Sequence, residues 1–326
     1  MSADLIPAPP TSQEVGRAVL AVLAGDPVDN AARSIGMQPT ALTDAVDVFT
    51  QAGNDALSRH EQPTRWSQFY VEFSDWTAAD QIAASHLVPM VNRPEGAETA
   101  PPWWFIRKYP CWRLRLYGSP DALIHTELNK LVQAGHLRCW WPGIYEPETA
   151  AFGGDTGMQT AHRLFAADSH HILNHTGTPL GRRELSVVLC TTMMRAAGLE
   201  WYEQGDVWDR VINEEHRSDT SKVPAGRLEA LTRQIRQLLV GDTRPNGQLL
   251  GDGAPLHPVA EWAEAFRRAG EALQESVRTG ALERGLRRVL AYHVIFHWNR
   301  IGLSLGAQSA LALAAREAIL DPPPDV

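Results

Sequence analysis

The sequence predicts an α+β fold, with antiparallel strands in the N-terminal half packed against a largely helical C-terminal half. Three observations predict it. Around residues 66–74 and 103–117 the apolar side chains recur with a period of two, as in half-buried strands. From Gly157 onward nearly every segment has a helical period. Strands first and helices afterwards exclude a doubly wound, alternating sheet. At 326 residues, 44% hydrophobic and 21% charged, the chain can bury a sizeable core.

Taken in order, residues 1–62 read as a helical preface and 63–326 as one α+β domain. The preface has an apolar run through Val15, Val19, Leu20 and Val22, a Gly-Asp-Pro break at 25–27, and an amphipathic stretch from Thr40 to Gln51. Phe69, Val71 and Phe73 alternate along the first strand, and 77–92 has helical period. Two β-rich runs, 103–109 and 112–117, meet at Pro110 and predict a hairpin. Ser119 and Pro120 fit the N-cap and first position of a helix to Ala134. Residues 137–145 are β-like again. Helical periods then cover 157–175, 183–204, 206–215, 225–240, 257–278, 281–300 and 305–320.

Composition excludes several classes. Three scattered cysteines make neither a disulfide framework nor a Cys-based zinc site. The first residues lack the basic and apolar regions of a signal peptide, and no apolar run is long enough to span a bilayer. A net charge of −8 argues against nucleic acid or anionic lipid as a partner. A cytoplasmic protein is expected.

Several short motifs are better explained by structure than by chemistry. Gly302-Leu-Ser304-Leu-Gly306 matches a nucleophile elbow, but no His follows it and helix precedes it, so a helix junction is expected. His171/His175 and His293/His297 have metal-pair spacing without a third ligand nearby. Gly153 to Gly157 lacks the Lys-Ser/Thr of a P-loop and reads as a turn into a helix. No metal is expected.

Two regions carry more chemistry. Residues 103–143 hold six basic side chains (Arg107, Lys108, Arg113, Arg115, Lys130, Arg138) against Asp121 and Glu127, with five Trp among them. This is either a half-buried sheet with a solvated basic face or a basic groove for an acidic partner. In the segment 286–300, Tyr292, Phe296 and Asn299 share one stripe, and His293, His297 and Arg300 share the next. Buried polar groups need partners, and such a cluster often lines a site.

Six segments in register, WWFIRKY…WRLRLYG (103–118), YEPETAAFGG (145–154), LFAADSHHIL (164–173), RRELSVVLCTTMMRAAGL (182–199), GDVWDRV (205–211) and HWNRIG (297–302), resemble the C-terminal domain of lantibiotic dehydratases, also found in thiopeptide-type bacteriocin biosynthesis proteins. The resemblance covers roughly 66–320 and implies an α+β domain with one of two activities. One eliminates glutamate from glutamylated Ser or Thr. The other is pyridine synthesis, a formal [4+2] aza-cycloaddition between two dehydroalanines with loss of water and leader peptide. Eliminating members typically read E-x-x-R-Y-G-G; here the segment runs from Glu148 to Gly154 with Ala151 at the Arg position. The hairpin that usually carries D-P-x-x-H is shortened, and Trp112 stands at the His position. These departures and the stand-alone length match the cycloaddition relatives. His297, Asn299 and Arg300 keep the family pattern, so elimination and a non-catalytic peptide-binding module stay as alternatives.

The chemistry that the resemblance implies assigns the candidates. Tyr292, His297 and His293 suit proton transfer, with Asp168 and Ser169 behind them. Arg107, Arg113, Arg115, Asn299 and Arg300 suit a leader peptide, and Trp104, Trp112 and Trp298 a flat azole-bearing substrate. The expected partner is an azole- and dehydroalanine-bearing precursor peptide. No cofactor is called for.

Overall fold

The computed structural model describes residues 10–61, 66–92, 102–118, 121–174, 177, 179–214 and 225–321. The chain divides into two compact units, 1–65 and 66–326. In the first, helices α1 (Ser12–Leu23), α2 (Val28–Ser34) and α3 (Pro39–Glu61) close on Ala18, Val19, Ala31, Ala32 and Leu42. Thr11 and Glu14 form a reciprocal capping box that starts α1. Only α2 has no counterpart in the sequence reading. It is a short helix of seven residues, too brief to show a period.

The second unit has the predicted α+β organisation. Among the described residues four antiparallel strands, β1 (Trp66–Phe73), β2 (Trp103–Lys108), β3 (Cys111–Tyr117) and β4 (Leu137–Gly143), lie in the order β2-β3-β1-β4. The hairpin turns at Tyr109 and Pro110, between Lys108 and Cys111, which pair. Register sets Arg115 opposite Gln68 on β1 and Trp104 on β2, so these three share one sheet face. Between β1 and β2, the expected helix is α4 (Ala79–Ile82), a π-helical turn (Ala83–Leu87) and α5 (Val88–Val91). α6 (Asp121–Gln133) precedes β4; its expected cap, Ser119 and Pro120, lies outside the described residues.

Among the described residues seven α-helices follow: α7 (Asp155–Asn174), α8 (Arg182–Ala196), α9 (Trp201–Asn213), α10 (Ala225–Val240), α11 (Ala260–Arg278), α12 (Leu286–Ile301) and α13 (Leu305–Leu320). The helical period of the sequence spans 183–204 and predicts one helix there. Gly198 breaks it, with φ of +80°, and a new capping box at Glu200 and Glu203 starts α9. The helix expected from 281 begins only at Leu286, after the turn at Gly280. The junction at 302–306 is as expected: Gly302 closes α12 in the left-handed region and Ser304 caps α13.

α11 packs on α7 and α8, α13 on α9 and α10, and α12 against α9, α7 and β2. At the α8–α11 crossing a side chain on Gly270 would place its Cβ 2.3 Å from the Met193 carbonyl oxygen, so only glycine allows that approach. Among the described residues no helix is long and apolar enough to cross a membrane.

Candidate active site

Helix α7 organises the chemistry. His162, Phe165, Asp168 and Ser169 recur three or four residues apart and so share a face. On the buried half, Asp168 is fully enclosed. It accepts hydrogen bonds from Trp262 Nε1 (2.9 Å), His297 Nδ1 (2.9 Å) and Arg300 Nε (2.8 Å). A carboxylate has no proton to give, so the Nδ1 of His297 carries one. Burial works to raise the Asp168 pKa, but the neighbouring His297 and Arg300 outweigh it and hold it at about 2. His297 Nε2 and both terminal nitrogens of Arg300 are buried without a hydrogen-bond partner among the described residues.

His293, one turn earlier on α12, does not join this triad. Its ring lies edge-on to Phe152, 5.0 Å away, and neither nitrogen finds a partner among the described residues. Burial, with Arg300 adding to it, lowers its pKa to about 3, so it is neutral at pH 7. The Ser169 hydroxyl accepts the Phe105 N–H at 3.2 Å and ties α7 to β2.

The second cluster is a half-buried aromatic box at the other end of this face. Arg115 donates through Nε to Gln68 (2.8 Å) and lies over the Trp104 and Tyr145 rings, 4.1 and 4.5 Å from their centroids. Tyr145 Oη is 2.7 Å from His162 Nε2, and Trp66 lies 4.8 Å from the imidazole. Trp66 and His162 are half-buried and form the open side of the box. Burial lowers the His162 pKa to about 4, with help from Arg115, and pushes the Tyr145 phenol up against the opposing pull of Arg115. The resting pair is therefore neutral phenol and neutral imidazole. Arg115, lowered to about 10 by burial, stays charged at pH 7.

Local sequence explains how Tyr145 reaches α7. The turn after it runs through Gly153 and Gly154, both at positive φ, into Gly157, where a Cβ would sit 1.9 Å from the Phe152 carbonyl oxygen. Phe165 stands between the two clusters: Trp104 is 4.7 Å from its ring on one side and the Arg300 guanidinium 4.4 Å on the other.

The candidates named from sequence do not form one site. Asp168, His297 and Arg300 meet, but in a sealed core, so Arg300 cannot hold a leader peptide there. Tyr292 is half-buried, donates to Glu214 at 3.2 Å and stacks under Arg284. Trp104, Trp112 and Trp298 are at most 1% exposed and present no stacking surface; their size fills the core instead. Arg107 is also structural, bonded to Asp80 and to the Arg300 carbonyl. Asn299 accepts from Gln308 at 3.0 Å. Arg113 lies over Tyr70, beside the partly exposed Trp141, where the sheet face is open. Sequence reasoning missed His162, Tyr145, Trp66, Gln68 and Trp262. His162 was findable, since it falls on the α7 face that carries Asp168. Among the described residues no group of three or more His, Cys, Asp and Glu side chains converges as a metal site; His175 lies outside them.

The fold and the family agree. The chain belongs to the lantibiotic biosynthesis dehydratase C-terminal family, whose model matches residues 66–319. Three solved structures share the fold. The tRNA-dependent lantibiotic dehydratase MibB from Microbispora sp. 107891 is 19% identical over 80% of this chain, with a TM-score of 0.53; the chain spans 29% of MibB. TsrL is 17% identical over 79% of this chain and 95% of its own, TM-score 0.56. TbtD, described as a pyridine synthase from thiomuracin biosynthesis, is 16% identical over 79% and 98%, TM-score 0.55. No curated protein matches the chain.

Proposed function

We propose that the chain is a pyridine synthase of thiopeptide-type biosynthesis, acting on a modified precursor peptide. The observation that carries the reading is the neutral Tyr145–His162 pair in an aromatic box, beside a turn with Ala151 where eliminating relatives carry Arg. In the cycloaddition, one dehydroalanine and the amide before it become a 2-azadiene by moving a proton from nitrogen to oxygen. Tyr145 gives its proton to the amide oxygen, the amide N–H proton passes to His162, and that imidazolium restores the phenol. No net charge is created, which suits a half-buried site. Arg115, over the phenol ring, steadies the oxygen while its proton is away. Trp66 offers an indole edge to the azoles, and holding the two alkenes together supplies much of the rate gain. Arg113 and Trp141 give the peptide an open, basic and aromatic sheet face.

Glutamate elimination is the second reading. It is favoured by Arg284, whose guanidinium lies 3.3 Å from the Ala150 carbonyl oxygen, one residue from the missing Arg. One experiment separates the two. A dehydrated, azole-bearing precursor should yield a pyridine chromophore and free leader. A glutamylated precursor should release no glutamate. Intact dehydrated precursor recovered from a reaction with verified binding refutes the first reading.

A further inference from the structure

At the start of α12 the surface folds into a cleft of about 580 Å³ lined by Arg210, Arg284, Arg287 and Arg288. Four guanidiniums in one place oppose the net charge of −8. The carboxylates beside them are fewer. Asp206 is shared, with Arg210 and Arg287 each 3.1 Å from it. Glu214 lies 3.6 Å from Arg288 and also accepts from Tyr292. Glu203, on the wall, accepts the Glu200 backbone N–H at 3.0 Å. Gly285 starts α12 without a side-chain cap, so the helix end adds positive field to the same cleft. Ala197, Leu199 and Leu286 make the rest of the lining apolar.

We propose that this cleft binds an acidic stretch of peptide, its carboxylates on the arginines and its apolar side chains against Leu199 and Leu286. Carboxylates match planar guanidinium forks, and the apolar wall has a use only for a ligand with apolar side chains. A single-stranded nucleic acid is disfavoured because the lining among the described residues holds no aromatic ring for a base to stack on. Arg284 connects the cleft to the box. It bonds to Ala150, and Glu283 donates its N–H to the Gly153 carbonyl at 2.9 Å, both on the turn that follows Tyr145. A peptide anchored at the cleft would thus have its neighbouring residues beside that turn. The inference rests on the reading that the substrate is a peptide.

Fluorescence anisotropy with a labelled dodecapeptide alternating Leu and Glu reads binding on the full chain without any turnover. A protein that forms no pyridine therefore still tests the cleft. The R287Q/R288Q variant should bind about tenfold or more weakly, as expected for lost charge-assisted contacts. Asp206→Asn, which frees Arg210 and Arg287, should bind more tightly, a change of sign that misfolding cannot mimic. R138Q, on the sheet, should bind as wild type does. The proposal is overturned if wild type does not bind the peptide, or if D206N fails to tighten binding. It is also overturned if folded R287Q/R288Q binds normally, if R138Q alone abolishes binding, or if a single-stranded oligonucleotide binds more tightly than the peptide.

Discussion

Asp168→Asn tests the buried triad most directly. The carboxylate takes three hydrogen bonds from groups that are themselves almost wholly buried, and the Arg300 guanidinium beside it is 0% exposed. Two routes give the magnitude. The Asp168 pKa falls from 3.8 to about 2 on folding, which at about 1.4 kcal/mol per unit is about 2 kcal/mol. Because the folded pKa is the lower one, this stability is present above about pH 4 and is lost as the pH falls toward 2. Asn costs more than protonation, because its amide NH2 faces a donor and Arg300 is left as a buried charge without its partner. Breaking a buried pair in this way costs roughly 3–5 kcal/mol. With an m value of about 3 kcal/mol/M, the urea midpoint at pH 7 should fall by about 1 M or more. Tryptophan fluorescence is the natural probe, since the Trp262 indole is one of the donors. Replacing both charges, as in D168L/R300M, should cost less than D168N alone, because no buried charge is orphaned. A D168N midpoint within about 0.2 M of wild type, or a double variant less stable than D168N, would falsify this account.

Three further outcomes are expected. Tyr145→Phe should lower kcat for pyridine formation by about a hundredfold or more with an unchanged thermal midpoint, and wild-type activity should fall on acidification through about pH 4 as His162 takes a proton; a variant with wild-type kcat removes Tyr145 from the mechanism. His293 is neutral when folded and titrates at about 3, so the native state loses stability between pH 6.5 and 3, where only the unfolded chain binds that proton. His293→Leu should therefore flatten the acid limb and gain about 2 kcal/mol at pH 5, and a parallel pair of unfolding profiles would contradict this. Gly270→Ala drives a methyl into the Met193 carbonyl and should destabilise by about 1–3 kcal/mol, seen as a lower calorimetric midpoint.

Much of the fold was legible because strand and helix periods are local. Phe69, Val71 and Phe73 declare β1, and the apolar spacing of α12 needs no distant information. Gly198 was not read as a stop, because the residues on both sides keep a helical period and only its positive φ ends the helix. The site was legible in part. His297 and Arg300 stood out as polar groups on an apolar helix, and Asp168 was named, but their union joins residues 129 and 132 positions apart. The tryptophans misled for a related reason: an indole next to basic residues on a strand looks the same whether the sheet face is open or covered, and here α7 covers Trp104. Tyr145 and His162 escaped because neither is unusual by itself. They lie 17 positions apart, joined by the double-glycine turn, and meet at 2.7 Å.

The placement of Phe165 between box and triad has a consequence for how such a protein can diversify. One end of this α7 face is pinned by a buried ion pair and the other end borders the box, with an apolar ring insulating them. Substitutions at Trp66 or Gln68 would reshape the box while Asp168 keeps the helix in place. Changes to Phe165 itself would couple the two, so that altering selectivity would loosen the scaffold. The helix thus keeps the scaffold residue Asp168 and the box residue His162 apart on the same face, with Phe165 three residues from each.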